Sequence, residues 1–115
     1  MTTLPALLER VRAATGPDRE LDLLIWKLLV WKTPWNHELH KTELFTRSID
    51  AALALVERML PGAFDSVGKD EEEGGHWWAA DLLVDDIWYS GIGPTIPLAI
   101  LAALLSALID KAPTP

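Results

Sequence analysis

The chain has no cysteine. That excludes a disulfide framework, a thiol nucleophile and any thiolate metal site, and it fits a reducing compartment. Basic residues are few, ten Lys and Arg against seventeen Asp and Glu, for a net charge of −7. Such a chain lacks the excess needed to neutralise phosphates, so nucleic-acid binding is disfavoured; its acidity suits solubility or a basic partner. The longest apolar stretch, 96–109, falls short of the roughly 20 residues of a membrane-spanning helix. Residues 1–15 carry Glu9, Arg10 and Arg12 with no apolar core behind a basic head. The expectation is a cytoplasmic chain without a signal peptide or membrane partner.

Catalytic signatures are equally sparse. Ser48 has no evident histidine base. Gly91-Ile92-Gly93-Pro94 precedes a helix, but Pro94 removes an amide where a phosphate would need one. What the chain does hold is apolar mass: half of its 115 residues are hydrophobic, enough for one domain over 1–115 with a single core.

The spacing predicts four helices. Residues 4–14 place Leu4, Leu7, Leu8 and Val11 on one side, with Thr3 as cap. Asp18 caps a second helix, about 19–29. Its main face is Leu21, Leu24, Ile25, Leu28 and Leu29, and a second strip holds Leu23, Trp26 and Val30. The chain reads as organised around 45–60, where Ile49, Ala52, Leu53, Leu55, Val56, Met59 and Leu60 share a face. Ser48 caps that helix and Pro61-Gly62 stop it. Thr95 caps the last helix. Its bulky residues Leu98, Leu101, Leu104, Leu105, Leu108 and Ile109 are expected to face a sheet. The other side, Ala99, Ala102, Ala103, Ser106, Ala107 and Asp110, meets water or lets another backbone come close. Residues 112–115 should fray.

Strands are expected at 63–69, 76–84 and 87–89, with a polar turn at Asp70-Glu71-Glu72-Glu73-Gly74-Gly75 and another at Asp85-Asp86. The middle strand is apolar on both parities: Trp77 and Leu83 point one way, Trp78, Leu82 and Val84 the other. Both faces of the sheet then need cover, which implies helices above and below. The predicted fold is α+β, a small, mainly antiparallel sheet in an αβα sandwich of about four helices.

Two segments, read together, carry a family resemblance. Thr46-Arg47-Ser48-Ile49-Asp50-Ala51-Ala52-Leu53-Ala54-Leu55-Val56 is followed by Pro94-Thr95-Ile96-Pro97-Leu98-Ala99-Ile100-Leu101-Ala102-Ala103-Leu104. With the leading Asp18-Arg19-Glu20-Leu21-Asp22, they resemble the phage ABA sandwich domain over about residues 15–110. The resemblance implies a sheet layered between helices and a phage or prophage setting, in a bacterial host cytoplasm or on the virion. It carries no catalytic residue.

Six tryptophans are the one compositional excess. Trp26, Trp31 and Trp35 lie on the second strip and an irregular segment, where aromatics suit a contact surface as readily as a core. Trp77 and Trp88 with Asp81 and Asp85 suggest the alternative, sugar stacking beside paired carboxylates; the plain reading is core residues and a turn. His37 and His40 are three apart, with Glu38 and Glu43 near and His76 distant, but incidental surface histidines explain them better than a metal. The acidic run 70–73 lacks the alternating ligands of a calcium loop. The expected function is therefore a non-enzymatic accessory or protein-interaction domain, without cofactor or metal, with a homodimer as one form. A small-molecule or carbohydrate-binding domain and an acidic inhibitor of a basic nucleic-acid-binding protein are the alternatives.

Overall fold

Each helix begins where a short polar side chain accepts a free amide of the first turn. In the computed structural model, which describes residues 3–39, 43–70 and 77–111, Thr3 takes the amide of Ala6 at the head of α1 (Leu4–Ala13). Asp18 takes that of Leu21 at α2 (Arg19–Ile25), and Ser48 that of Ala51 at α3 (Ile49–Met59). Thr95 takes that of Leu98 at α4 (Ile96–Lys111). Such caps contribute about 1 kcal/mol each, so the chain marks its helix starts locally. Gly62, at φ 77°, turns the chain after α3.

α2 runs on into a π-helical turn, Trp26–Val30, in which the amide of Trp31 donates to the carbonyl of Trp26 at 3.0 Å. One extra residue in that turn rotates everything after it. Val30, expected on the outer strip, becomes buried, and Leu28, expected in the core, turns outward. Ile49 is likewise exposed, so α3 buries Ala51, Ala52, Leu55 and Val56.

The sheet is antiparallel, in the order β1 (Phe64–Asp70), β2 (Trp77–Val84), β3 (Ile87–Gly93). β2 and β3 are joined by Asp85 and Asp86, both at positive φ (51° and 65°). That is a two-residue hairpin turn whose twist matches the strands, and aspartate tolerates it. β3 runs on through Gly91 and Gly93, four residues beyond the 87–89 expected of it.

Those two glycines explain the packing. A Cβ on Gly91 would lie 2.2 Å from the Ala103 nitrogen and 2.4 Å from the Ala99 oxygen, so the backbone of α4 rests directly on β3. A Cβ on Gly93 would lie 3.1 Å from the Ala99 nitrogen. The small side of α4 therefore meets the sheet at Gly91. The expectation that its leucines would do so holds for Leu98, which lies against Gly93, but is reversed for Leu101, Leu104 and Leu105: no leucine fits between two backbones in contact. At 100° per residue Leu101, Leu104 and Leu105 project to the other side, and α4 also packs against α1 and α3. The organising element is α4, buried on nearly every side, and not the 45–60 segment.

The fold is thus α+β, with four helices and a three-stranded antiparallel sheet. One face of that sheet, carrying Ala80, Leu82, Val84, Gly91 and Gly93, is buried beneath α4. Of the two helical covers expected, the described residues show this one. Asp85 and Tyr89 fasten the far end of α4, Asp85 to Lys111 and Tyr89 to Asp110.

Gly91→Ala should destabilise the protein by roughly 3 kcal/mol, because neither backbone can retreat. Gly68→Ala, with nothing within 4 Å of the new methyl, should change stability by less than about 0.5 kcal/mol. Urea denaturation followed by circular dichroism compares the two.

Candidate interaction surface

Strand alternation decides what the second face of the sheet presents. Since Ala80, Leu82 and Val84 point under α4, Trp77, Ala79, Asp81 and Leu83 of β2 must point away. The register pairs Ala79 with Ile92, Asp81 with Ser90 and Leu83 with Trp88, adding a second outward row from β3. Trp77 and Leu83 are each 37% exposed, Ile92 46% and Trp88 56%. Burying such side chains is worth about 1.5–3 kcal/mol each, so four of them left in water on one small face stand out.

The face has a polar centre and unlike ends. The Ser90 hydroxyl donates to Asp81 at 2.5 Å, which satisfies the two polar groups between the apolar corners. At one end Arg12 of α1 reaches the sheet and lines a shallow cleft of about 360 Å³ with Trp77, Ser90, Gly91 and Ile92. At the other end are Leu83, Trp88 and the exposed Asp85-Asp86 turn.

Of the four residues weighed as a sugar site, Trp77, Asp81 and Trp88 share this face and Asp85 does not join them. Trp77 and Leu83, the cross-strand partner of Trp88, are six residues apart on β2, or about 20 Å. No single ring-sized ligand spans the two indoles. Asp81 and Asp85 are about 13 Å apart along the chain, beyond the ~5–9.5 Å of paired glycosidase carboxylates, and Asp85 is bound to Lys111.

The other aromatic group divides. The indole N–H of Trp26 donates to the Leu39 carbonyl at 2.6 Å and holds the loop after α2. Trp35 is half-buried against the core. Only Trp31 keeps an exposed ring (53%), tilted at 52° to Trp26 with centroids 5.3 Å apart. The π-turn makes this contact, because in an α-helix residues five apart lie about 140° from each other. The three do not form one exposed patch.

A buried polar knot escaped the sequence reading. Asp22 and Thr46 are both buried, and Asp22 Oδ1 accepts from the Thr46 amide at 2.7 Å and hydroxyl at 2.8 Å. Thr46 Oγ1 in turn accepts from the Asp18 amide at 2.8 Å, and Arg19 stands 3.8 Å from Asp22 Oδ2. The group ties the entry of α3 to the first turn of α2. The visible signal was an aspartate inside an otherwise apolar strip. His40, His76 and residues 71–73 lie outside the described residues, and the described ones hold no cluster of three or more groups suited to a metal. Glu38 is paired with Arg58. No described helix is long and apolar enough to cross a membrane.

No family model, curated protein or solved structure matches the chain. The fold and this face define a small α+β domain with an apolar, solvent-facing sheet surface.

Tyr89 reports on the seam between sheet and α4. It is the only tyrosine, and its phenol is held above its ordinary value of 10.0 by the hydrogen bond to Asp110, then by partial desolvation and the negative charges of Asp110 and Asp85. Because the folded value is raised, the stability this bond contributes is complete below about pH 10 and lost as pH rises through the folded value. Ultraviolet titration should give a single midpoint above 10, and Asp110→Asn should lower it. An unchanged midpoint in the variant would mean the bond is not made.

Proposed function

We propose that this is a non-enzymatic accessory domain of phage or prophage origin that binds another protein through the open face of its sheet, in the cytoplasm of a bacterial host. The supporting observation is the asymmetry of the sheet. One side is buried beneath α4, while the other presents Trp77, Leu83, Trp88 and Ile92 to solvent around a satisfied Asp81–Ser90 pair. Aromatic and aliphatic anchors around a few paired polar groups are the anatomy of a binding patch. The phage setting rests on the order and spacing of the 46–56 and 94–104 segments. These segments open α3 and α4.

The contact surface offered first by the sequence, around Trp26, Trp31 and Trp35, moves to the sheet in this reading. Trp26 and Trp35 have structural work, and Trp31 stands nearly alone.

Immobilised wild type, a Leu83→Ser/Trp88→Ser variant and Trp31→Ser, each exposed to bacterial lysate, separate the surfaces. A partner kept by wild type and Trp31→Ser but lost by the sheet variant is the expected result. The same proteins recovered on all three, or a loss confined to Trp31→Ser, would overturn the assignment.

A further inference from the structure

Resting on the reading of the open face as a contact surface, we infer that its occupant is a second copy of this chain. The two copies dock face to face about a two-fold axis perpendicular to the strands. Charge selects the occupant and the axis together. Among the described residues Arg12 makes no ion pair, and it lines the cleft with Trp77 and Ile92 at one end of the face. Asp86 is exposed in the turn beyond Leu83 and Trp88 at the opposite end.

A two-fold axis running along the strands would lay each acidic end on its own copy. An axis across the strands lays the Asp86 end of one copy over the Arg12 end of the other, twice per dimer. It also keeps β3 over β3, so the guanidinium faces Trp88 as well as the carboxylate. The centre of the face carries Ala79, Asp81 and Ser90 with Ser66 and Gly68 of β1 beside them, small enough for two sheets to approach to the usual ~10 Å. The two Asp81 carboxylates, each held by its own Ser90, then meet near the axis, and their repulsion weakens the dimer.

Area sets the strength. Seven residues by three strands cover about 23 Å by 14 Å, well below the ~800 Å² per partner of a standard interface. The dimer should therefore be weak, with a dissociation constant on the order of 10–100 μM.

Sedimentation equilibrium on the full chain tests this with a charge swap. Wild type should associate at hundreds of micromolar. Arg12→Asp and Asp86→Arg alone should each associate at least about tenfold more weakly, since each places like charges together twice. Their equimolar mixture should regain association because one pair is reversed in sign and the other is the wild-type pair, and the chain carrying both changes should do so because both pairs are reversed. Both positions are exposed, and circular dichroism confirms that each variant is folded. A wild type that stays monomeric at about 0.5 mM, single variants that associate like wild type, or a mixture that fails to recover would each overturn the second copy as occupant. A lysate protein still held by the wild-type face but lost by Leu83→Ser/Trp88→Ser would then show a partner of other chemistry and leave the contact-surface reading intact. Loss of both results removes that reading too.

Discussion

The contact between Gly91 and the backbone of Ala99, Ala102 and Ala103 is the constraint from which the architecture follows. A helix can come that close to a strand only where the strand lacks a side chain and the helix offers small ones. Once α4 is seated on its alanines, its leucines have to be covered from the other side, and α1 and α3 supply that cover. The core is therefore built between α4 and its neighbouring helices as much as between α4 and the sheet. The opposite face of β2 and β3 is left with its tryptophans in water.

Polar groups complete what the apolar packing begins. The Asp22–Thr46 knot is buried and fully partnered, and deleting one member would leave the other orphaned at a cost of about 1–3 kcal/mol. It fixes how the loop entering α3 lies against α2, which apolar contacts alone specify poorly. The Lys111–Asp85 and Tyr89–Asp110 contacts are at the surface. An exposed ion pair is worth at most about 1 kcal/mol, so their role is to orient the end of α4 over the hairpin turn.

Local chemistry was legible in the sequence because it acts over three or four residues. Thr3, Asp18, Ser48 and Thr95 cap where their spacing indicates, and Asp85-Asp86 makes the hairpin turn. Orientation was not legible. Periodicity shows that α4 has a bulky and a small side, but which side meets the sheet depends on Gly91, which lies outside the helix and beyond the strand expected at 87–89. The extra residue of the π-turn has no sequence signature, and it exchanged the fates of Val30 and Leu28. The parity of β2 was read correctly as two apolar rows; the outward row belongs to a surface. Neither Asp22 nor Thr46 announces its partner, because their bond spans 24 residues of chain.

The candidate site was legible in its parts and not in its grouping. Trp77, Asp81 and Trp88, the sugar-site candidates, do share a face, but with the two indoles at opposite corners of an open surface and Asp81 between them. A surface of this shape suits another protein better than a small molecule, which needs a concave site around it. A contact surface on the sheet requires the outward row to be solvent-facing in the single chain. Hydroxyl-radical labelling at submicromolar concentration, read for each tryptophan by mass spectrometry, measures that directly. Trp88 and Trp31 should react fastest and the half-buried Trp78 far more slowly. A Trp88 as protected as Trp78 in the dilute monomer would mean that something in the chain covers the second face, and would contradict the account.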